Sequence, residues 1–542
     1  MSPDLTGSTV SPDSQRLFAL LLIQCMKLKS VIIALTVFGS AFFLFSCADA
    51  PQNADNEKIL RIATSFKIQS LAPQESASYF LTEYSVSETP LFIDDAANIK
   101  PHLLESYQQI DELNWRLVLR DKLTFQNGKP VTAEKFAEAM NFQLKNSPAT
   151  QTLLPGASVK SVGEREIVLT TETPNPNVPA ALADESGFPI FDVECIESAA
   201  NDNDKIIAGG CYTGAYKPVS LDDREMVLER FPNYWQGTPP LEKIIVKFVP
   251  DAQTRILAVQ SGEADIALYP PSEAGRMLAN ESNAFFVTGE NATNGPRLFF
   301  NVRRAPFNET FVRRAASLGI KYESIAKEIF DGVFQTADGF FPPVFPFAVQ
   351  NQKTDTEEAK KLLDESGWTI GENGIREKNG KILSAVLLTY PQQPDWVTLA
   401  TAIQANLREI GFDVKIRQVD DINAAFRAGD WDFGIISPGI TTYGGAPDPL
   451  LREFLTSKGE KNYTGANDEE LDRLIETLSR TFDAEKRKEF LQKIQQIVIA
   501  EKAYEVRPLF SRPRAVVGVK YRNYKPSPYL RHITFSTRPS DE

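Results

Sequence analysis

Histidine and cysteine, two residue types often used as general base, nucleophile or metal ligand, are scarce in this sequence. The 542 residues contain four cysteines and two histidines, His102 and His532. Two histidines leave little material for a histidine-based metal site or a histidine general base. The motifs G-x-S-x-G and H-E-x-x-H do not occur. We therefore expect no enzyme, no cofactor and no metal site, with a carboxylate pair brought together by the fold as the open alternative.

The residues best suited to hold a small solute follow predicted strands. The apolar segment 431–436 runs into a loop, 437–448, that is rich in Gly, Ser, Thr and Tyr. Such residues offer hydroxyl hydrogen bonds and an aromatic face. Ligands of open α/β sheets bind at loops beside strand ends. The candidate ligand contacts are Ser437, Thr441, Thr442 and Tyr443 in this loop, and Phe66, Tyr269, Asn301 and Tyr390 beside other predicted strands.

The elements that must position these loops alternate between strands and helices. Segments 59–66, 115–120 and 166–171 have the pattern of strands. Thr132 and Asp251 are predicted to cap helices. The segment 382–416 reads as a strand, a helix and a second strand, which is typical of a parallel βαβ unit. The segment 504–510 reads as one further strand, and the pattern as a whole predicts an α/β protein of several lobes.

Composition and charge narrow the function classes. The chain is 42% hydrophobic and 24% charged, as in ordinary globular proteins, and its length predicts two or three domains. The formal net charge of −13 opposes binding to phosphate backbones. We therefore expect no nucleic acid partner.

The first residues have the features of an export signal. Lys27 and Lys29 precede an apolar run, 31–45, that is shorter than the roughly 20 residues of a membrane-spanning helix. The run ends in Leu-Phe-Ser-Cys at Cys47, which resembles the bacterial lipobox. We expect residues 1–46 to be a signal peptide whose true start is Met26, and Cys47 to be acylated at the head of a tether, 47–56. An ordinary signal peptide or a simple membrane anchor is the alternative.

The remaining cysteine pair is suited to a disulfide. In the expected mature chain only Cys195 and Cys211 are left beside Cys47. An even pair in an oxidising compartment favours a bridge. Two buried free thiols are the alternative.

A series of segments resembles the extracellular solute-binding proteins of family 5, the peptide/nickel type that serves ABC transporters. The most specific match is LRDKLTFQNGKPVTAEKF at 119–136, a strand, a turn and a helix. Further matches in the family's order are PHLLESY (101–107), CYTGAY (211–216), RFPNYW (230–235), SGEADI (261–266), the F-N, P-F and V-R-x-A elements within 300–315, and the helix around 358–367.

This resemblance implies a two-lobed periplasmic-binding-protein fold, type II, of the large peptide-binding kind with an extra subdomain. Lobe one would comprise 57–292 with a subdomain near 95–200, lobe two 293–505, and residues 506–542 would return to lobe one. The implied function is capture of a small organic solute, most simply a peptide, by a monomeric, lipid-anchored protein in the periplasm or cell envelope for delivery to an ABC permease. A nickel chelate or another non-peptide solute, or ligand sensing without transport, is the alternative.

The resemblance also adds one candidate contact and one departure. Asp448 stands where the family has an acidic residue before proline. Three residues earlier, where oligopeptide-binding relatives have an aspartate that meets the ligand's α-ammonium, this chain has Gly445. A free peptide amine would therefore need another carboxylate.

Overall fold

The computed structural model describes residues 58–75, 79–437 and 445–540. In these ranges no helix is both long enough and apolar enough to cross a membrane. The strands are β1 (Ile59–Thr64), β2 (Leu91–Ile93), β3 (Ile99–Pro101), β4 (Leu104–Gln109), β5 (Asn114–Leu119), β6 (Ser158–Ser161), β7 (Glu166–Thr170), β8 (Tyr216–Leu221), β9 (Glu225–Arg230), β10 (Lys243–Phe248), β11 (Ile266–Leu268), β12 (Ala284–Thr288), β13 (Arg297–Phe300), β14 (Gln335–Thr336), β15 (Thr369–Ile370), β16 (Arg376–Lys378), β17 (Lys381–Ile382), β18 (Ser384–Thr389), β19 (Asp413–Gln418), β20 (Phe433–Ile436), β21 (Glu505–Val506), β22 (Leu509–Phe510) and β23 (Arg514–Gly518).

Helices connect most of these strands. The α-helices are α1 (Tyr79–Glu83), α2 (Ala133–Asn146), α3 (Pro148–Leu153), α4 (Val178–Ala183), α5 (Val193–Ala199), α6 (Asn203–Gly209), α7 (Ala252–Gln260), α8 (Ala274–Met277), α9 (Thr310–Gly319), α10 (Tyr322–Ser324), α11 (Thr356–Glu365), α12 (Pro394–Glu409), α13 (Ile422–Ala428), α14 (Pro447–Leu455), α15 (Glu469–Leu478) and α16 (Ala484–Gln495). Segments Ile325–Ile329 and Gln496–Glu501 are π-helical, and Glu372–Gly374 and Val519–Tyr521 are 3₁₀-helical.

The first large sheet has seven strands in the order β12-β23-β11-β1-β10-β9-β8. β1 runs parallel to both β10 and β11, and Ile62 lies opposite Val246 and Ile266. These three side chains are fully buried, as apolar residues of a covered parallel sheet are. β23 is antiparallel to β11 and β12 and lies between them. We call this sheet and the helices packed on it lobe one.

A smaller antiparallel sheet, in the order β4-β5-β7-β6, forms a subdomain after the first strands of lobe one. In β5, Leu117 and Leu119 are buried beside Phe136 and Met140 of α2. The Thr132 side chain accepts a hydrogen bond from the amide of Lys135 at 3.2 Å, so the predicted cap of α2 is confirmed.

The second large sheet has five strands in the order β19-β18-β20-β13-β21, and we call it and its helices lobe two. β18 is parallel to β19 and to β20. The connecting helix α12 buries Leu399, Ile403 and Leu407 against the sheet. The predicted parallel βαβ unit is confirmed. The residue boundaries proposed for the lobes stay predictions.

The segment 504–510 differs from the single strand that its sequence predicts. It forms two short strands, β21 paired with β13 and β22 paired with β14. Pro508 lies between them and has no amide hydrogen to continue a ladder. The chain joins the lobe-one sheet only afterwards, at β23.

Candidate functional site

The parallel strands of lobe two end at one edge of their sheet, and a cavity of about 650 Å³ opens there. Its walls include Tyr390 after β18, Asp421 after β19 and Ser437 after β20. Open α/β sheets bind ligands at the carboxyl ends of their strands. This cavity is therefore the lobe-two part of the candidate binding site.

Charged groups of both signs line this cavity. Asp421 caps α13 by accepting a hydrogen bond from the amide of Ala424 at 2.9 Å. The Lys461 ammonium lies 5.6 Å from the ring centroid of Phe454, and Arg427 also lines the wall. The cavity therefore offers a carboxylate, two cationic groups and apolar faces to an organic solute.

Two predicted contact residues of lobe two meet at this cavity. Tyr390 is half-buried against the core, and burial raises the pKa of its hydroxyl to about 12. It is therefore a neutral hydrogen-bonding group at neutral pH. Ser437 is exposed directly after β20. The predicted contacts Thr441, Thr442 and Tyr443 lie outside the described residues.

The two predicted contacts of lobe one also lie together, beyond the carboxyl ends of β1 and β11. The rings of Phe66 and Tyr269 meet edge to face with centroids 5.0 Å apart. Phe66 is 45% exposed. The Tyr269 hydroxyl lies 2.9 Å from Nε2 of His532. The structure thus forms an aromatic surface at the edge of lobe one where β1 and β11 end.

Asn301 is not on an accessible surface. It is 1% exposed, and its Nδ2 donates to the carbonyl of Trp431 at 2.9 Å. Its Oδ1 accepts a hydrogen bond from Nε of Arg303 at 3.2 Å. These contacts fasten the end of β13 to the segment before β20, so we leave Asn301 out of the proposed ligand contacts.

Asp448 lies at the contact between lobe two and the subdomain. Its Oδ1 is 2.7 Å from Nη2 of Arg487, and its Oδ2 is 3.1 Å from Nη1. Asn177 donates from Nδ2 to Oδ2 of Asp448 at 2.9 Å and accepts from Arg487 at 3.1 Å. Asp448 is fully buried. Both carboxylate oxygens thus bind protein groups, and the side chain joins lobe two to the subdomain.

A second polar cluster joins lobe one to lobe two. Asp395, in the first turn of α12, accepts a hydrogen bond from Oγ of Ser272 at 2.6 Å. Its other oxygen pairs with Arg514 of β23. Ser272 follows β11, so both partners belong to lobe one. The two clusters, at Asp448 and at Asp395, hold the lobes together at two separate places.

Gly445, the position at which the family resemblance leads us to expect an acidic residue, has a backbone conformation that disfavours a side chain. Its φ of +77° is in the left-handed region, which a side chain disfavours. A Cβ atom at this position would lie 3.1 Å from Cδ1 of Ile93 in β2. A side chain here would therefore adopt a strained backbone conformation and press on the end of the Ile93 side chain.

The predicted disulfide between Cys195 and Cys211 is confirmed. Their Cα atoms are 5.6 Å apart, inside the limit of about 7 Å for a bridge. The bond ties α5 to the segment after α6, next to the buried ring of Tyr212. Its role is structural, within lobe one.

Sequence reasoning did not find the residues that join the lobes. Asn177 and Asp448 are separated by 271 positions, and Asp395 and Arg514 by 119. Asp395 reads locally as an acidic residue at a helix N-terminus, which is a common surface feature. No local pattern marks such partners, because only the tertiary fold brings them together.

Metal binding by the chain itself has no support in residues 58–75, 79–437 and 445–540. Within them, no three His, Cys, Asp or Glu side chains converge on one point. Protein metal sites need several such ligands around one ion.

Comparison with known proteins places the chain in a family. The family model for bacterial extracellular solute-binding proteins, family 5 (middle), matches residues 98–462. The chain is 26% identical over 471 residues to the nickel-binding protein NikA of Staphylococcus aureus, covering 85% of this chain and 89% of that protein. It is 25% identical over 429 residues to the dipeptide-binding protein DppE of Bacillus subtilis, covering 72% and 75%.

The fold is also that of solved structures. NikA from Brucella suis in complex with Fe(III)-EDTA superposes with a TM-score of 0.78 at 20% identity, covering 89% of this chain and 100% of that one. Sequence motifs, family model and fold agree. The chain belongs to the bacterial extracellular solute-binding proteins of family 5.

Proposed function

We propose that the protein is the substrate-binding component of an ABC importer. It captures a small organic solute, a peptide, between its two lobes and delivers it unchanged to a membrane permease. The observation that carries this proposal is the cavity at the strand ends of lobe two, lined by Tyr390 and Ser437. Elsewhere in lobe two, Asp448 joins this lobe to the subdomain.

Closure of the two lobes around the solute accounts for capture and release. Two rigid lobes can rotate about the segments that connect them. Solute shifts the equilibrium toward the closed state only by its higher affinity for that state. The contacts of Asp448 and Asp395 across the lobes stabilise the arrangement of the lobes that this structure shows.

A nickel chelate is the second candidate, because the S. aureus relative is named for nickel. The described residues provide no metal-ligand cluster. A nickel ion inside an organic chelate would enter the cavity in the same way as an organic solute. Mass spectrometry of solute released from the purified protein, with metal analysis of the same sample, distinguishes the two.

Replacing Ser437 by alanine should weaken solute binding about 5- to 150-fold, because a hydrogen bond lost in a desolvated site costs about 1–3 kcal/mol. Titration calorimetry with the solute identified by mass spectrometry measures the change. Ser220→Ala, on the exposed part of β8, is the matched control and should leave affinity unchanged. Equal affinities of wild type and Ser437→Ala would remove this serine from the site.

We also propose that the protein is exported and anchored by lipid at Cys47, as a monomer in the periplasm or cell envelope. The support is the apolar run 31–45 followed by the lipobox-like tetrapeptide. Intact-mass analysis of membrane-extracted protein should show a chain that starts at Cys47 and carries acyl groups. Cys47→Ala should release the protein or leave it unprocessed. A mature chain that retains residues before Cys47 would contradict this proposal.

A further inference from the structure

A carboxyl group in lobe one lacks the partners that buried carboxyl groups normally have. Glu83, the last residue of α1, is 0% exposed. Neither of its side-chain oxygens has a hydrogen-bond partner among the described residues. Buried carboxylates are normally paired or hydrogen-bonded, because an isolated buried charge is costly. Packing alone does not account for this group.

No cation in the described surroundings neutralises Glu83. The nearest ionisable nitrogen is Nε2 of His532, 4.0 Å from Oε2. Burial lowers the pKa of His532 to about 3, so the ring is neutral. Arg531 lies 3.8 Å from Glu185 instead, and Glu185 repels Glu83. Burial and this repulsion raise the pKa of Glu83 well above its usual range.

Aromatic rings surround this carboxyl group. His532 links it to three tyrosines: Nε2 of His532 lies 4.0 Å from Oε2 of Glu83 and 2.9 Å from the Tyr269 hydroxyl. The His532 carbonyl accepts a hydrogen bond from the Tyr524 hydroxyl at 3.2 Å, and the ring of Tyr84 lies 6.0 Å from the His532 ring. Tyr79 precedes Glu83 by one turn of α1. Phe66 is the exposed ring of the group and contacts Tyr269 and Phe80, with centroids 5.0 Å and 6.3 Å away. The cluster therefore lies at the edge of lobe one where β1 and β11 end.

This combination matches one kind of ligand group. Aromatic faces attract cations, and a carboxylate supplies the opposite charge. A metal ion would need several ligating side chains, and the second carboxyl group nearby, Glu185, is paired with Arg531 at 3.8 Å. An organic ammonium needs only one carboxylate and aromatic faces. It would also give the carboxylate form of Glu83 the counter-charge that it lacks.

We propose that Glu83 and the tyrosines around it receive a primary ammonium group of the bound peptide. This inference rests on the proposed function. It assigns the charge recognition of the solute to lobe one, while Tyr390 and Ser437 of lobe two contact the rest of it.

The test compares one solute mixture in two chemical forms. The full mature protein is loaded with a casein digest, or with the same digest after its amines have been acetylated. Unbound peptides are removed, and retained peptides are released and measured by mass spectrometry. Acetylation removes the positive charge, so the wild type should retain about 10- to 150-fold less of the acetylated peptides.

Substitutions test whether Glu83 is responsible for the preference for peptides with a free amine. Glu83→Gln, which keeps the shape of the side chain, should lose retention of the untreated peptides by a similar factor. Glu469→Gln changes a carboxyl that is 89% exposed and should behave as wild type. The acetylated arm uses wild-type protein alone, so it decides whether an ammonium charge is recognised even if Glu83→Gln folds poorly.

The outcomes separate the two proposals. Equal retention of acetylated and untreated peptides by the wild type would overturn the role of Glu83 and leave peptide capture standing. Undiminished retention by a folded Glu83→Gln variant would do the same. Retention of no peptide in either form would overturn peptide capture and this inference together.

Discussion

Replacing Glu505 by glutamine should lower the free energy of unfolding by about 3–5 kcal/mol, the cost of breaking a buried ion pair. Glu505 in β21 and Arg297 in β13 are both 0% exposed, with Oε2 and Nη2 2.7 Å apart. Without the carboxylate, the Arg297 guanidinium stays buried among Phe299 and Phe454 without its hydrogen-bonded counter-charge. The cost of a buried positive charge is visible at Arg507, because burial and the charge of Arg297 lower the pKa of its guanidinium to about 9.

Urea unfolding of wild type and variant measures this change. Glu166→Gln is the matched control, since Glu166 pairs with Arg116 on the surface with side chains 42% and 45% exposed. An exposed pair contributes less than about 1 kcal/mol. If Glu505→Gln lowers the free energy of unfolding no more than Glu166→Gln does, the buried pair between β13 and β21 does not stabilise the fold as expected.

Removing the disulfide should lower the free energy of unfolding by about 3 kcal/mol. The bridge closes a loop between Cys195 and Cys211, 16 positions apart, and loop closure of this length restricts the unfolded chain by about that amount. The double variant Cys195→Ala, Cys211→Ala measures the loss in urea.

A reductant supplies the control for this experiment. Dithiothreitol should destabilise the wild type toward the value of the double variant and leave the double variant unchanged. A wild type as stable with reductant as without it, under conditions where mass analysis shows free thiols, would contradict the expected contribution.

Local sequence patterns predicted those helices and strands that are determined by nearby residues, such as helix caps and the spacing of apolar side chains. Thr132 and Asp251 cap helices because their side chains reach the amides three residues on, at 3.2 Å and 2.8 Å. Leu399, Ile403 and Leu407 lie on one face of α12, and their spacing alone shows it. The order of elements was therefore sufficient to predict the α/β class, and the short motifs were sufficient to predict the family.

The site depended on contacts that no local pattern reveals. Asp448 has the sequence context of a ligand contact, yet its two oxygens bind Arg487 and Asn177 from distant parts of the chain. Asn301 reads as a polar residue after a strand, but the fold buries it. Glu83 lies in an unremarkable helical stretch, and only the packing around it shows that its carboxyl group has no partner.

The position of β23 determines when lobe one can become complete. This strand lies between β11 and β12, so both neighbours form hydrogen bonds with residues 514–518. A polypeptide that emerges amino-terminus first presents β11 and β12 long before these residues appear. Until then the two strands have unsatisfied edges, and such edges invite pairing with other chains. The sheet therefore closes only after residues 514–518 have emerged, and a chain that stalls earlier exposes unpaired strand edges that favour aggregation.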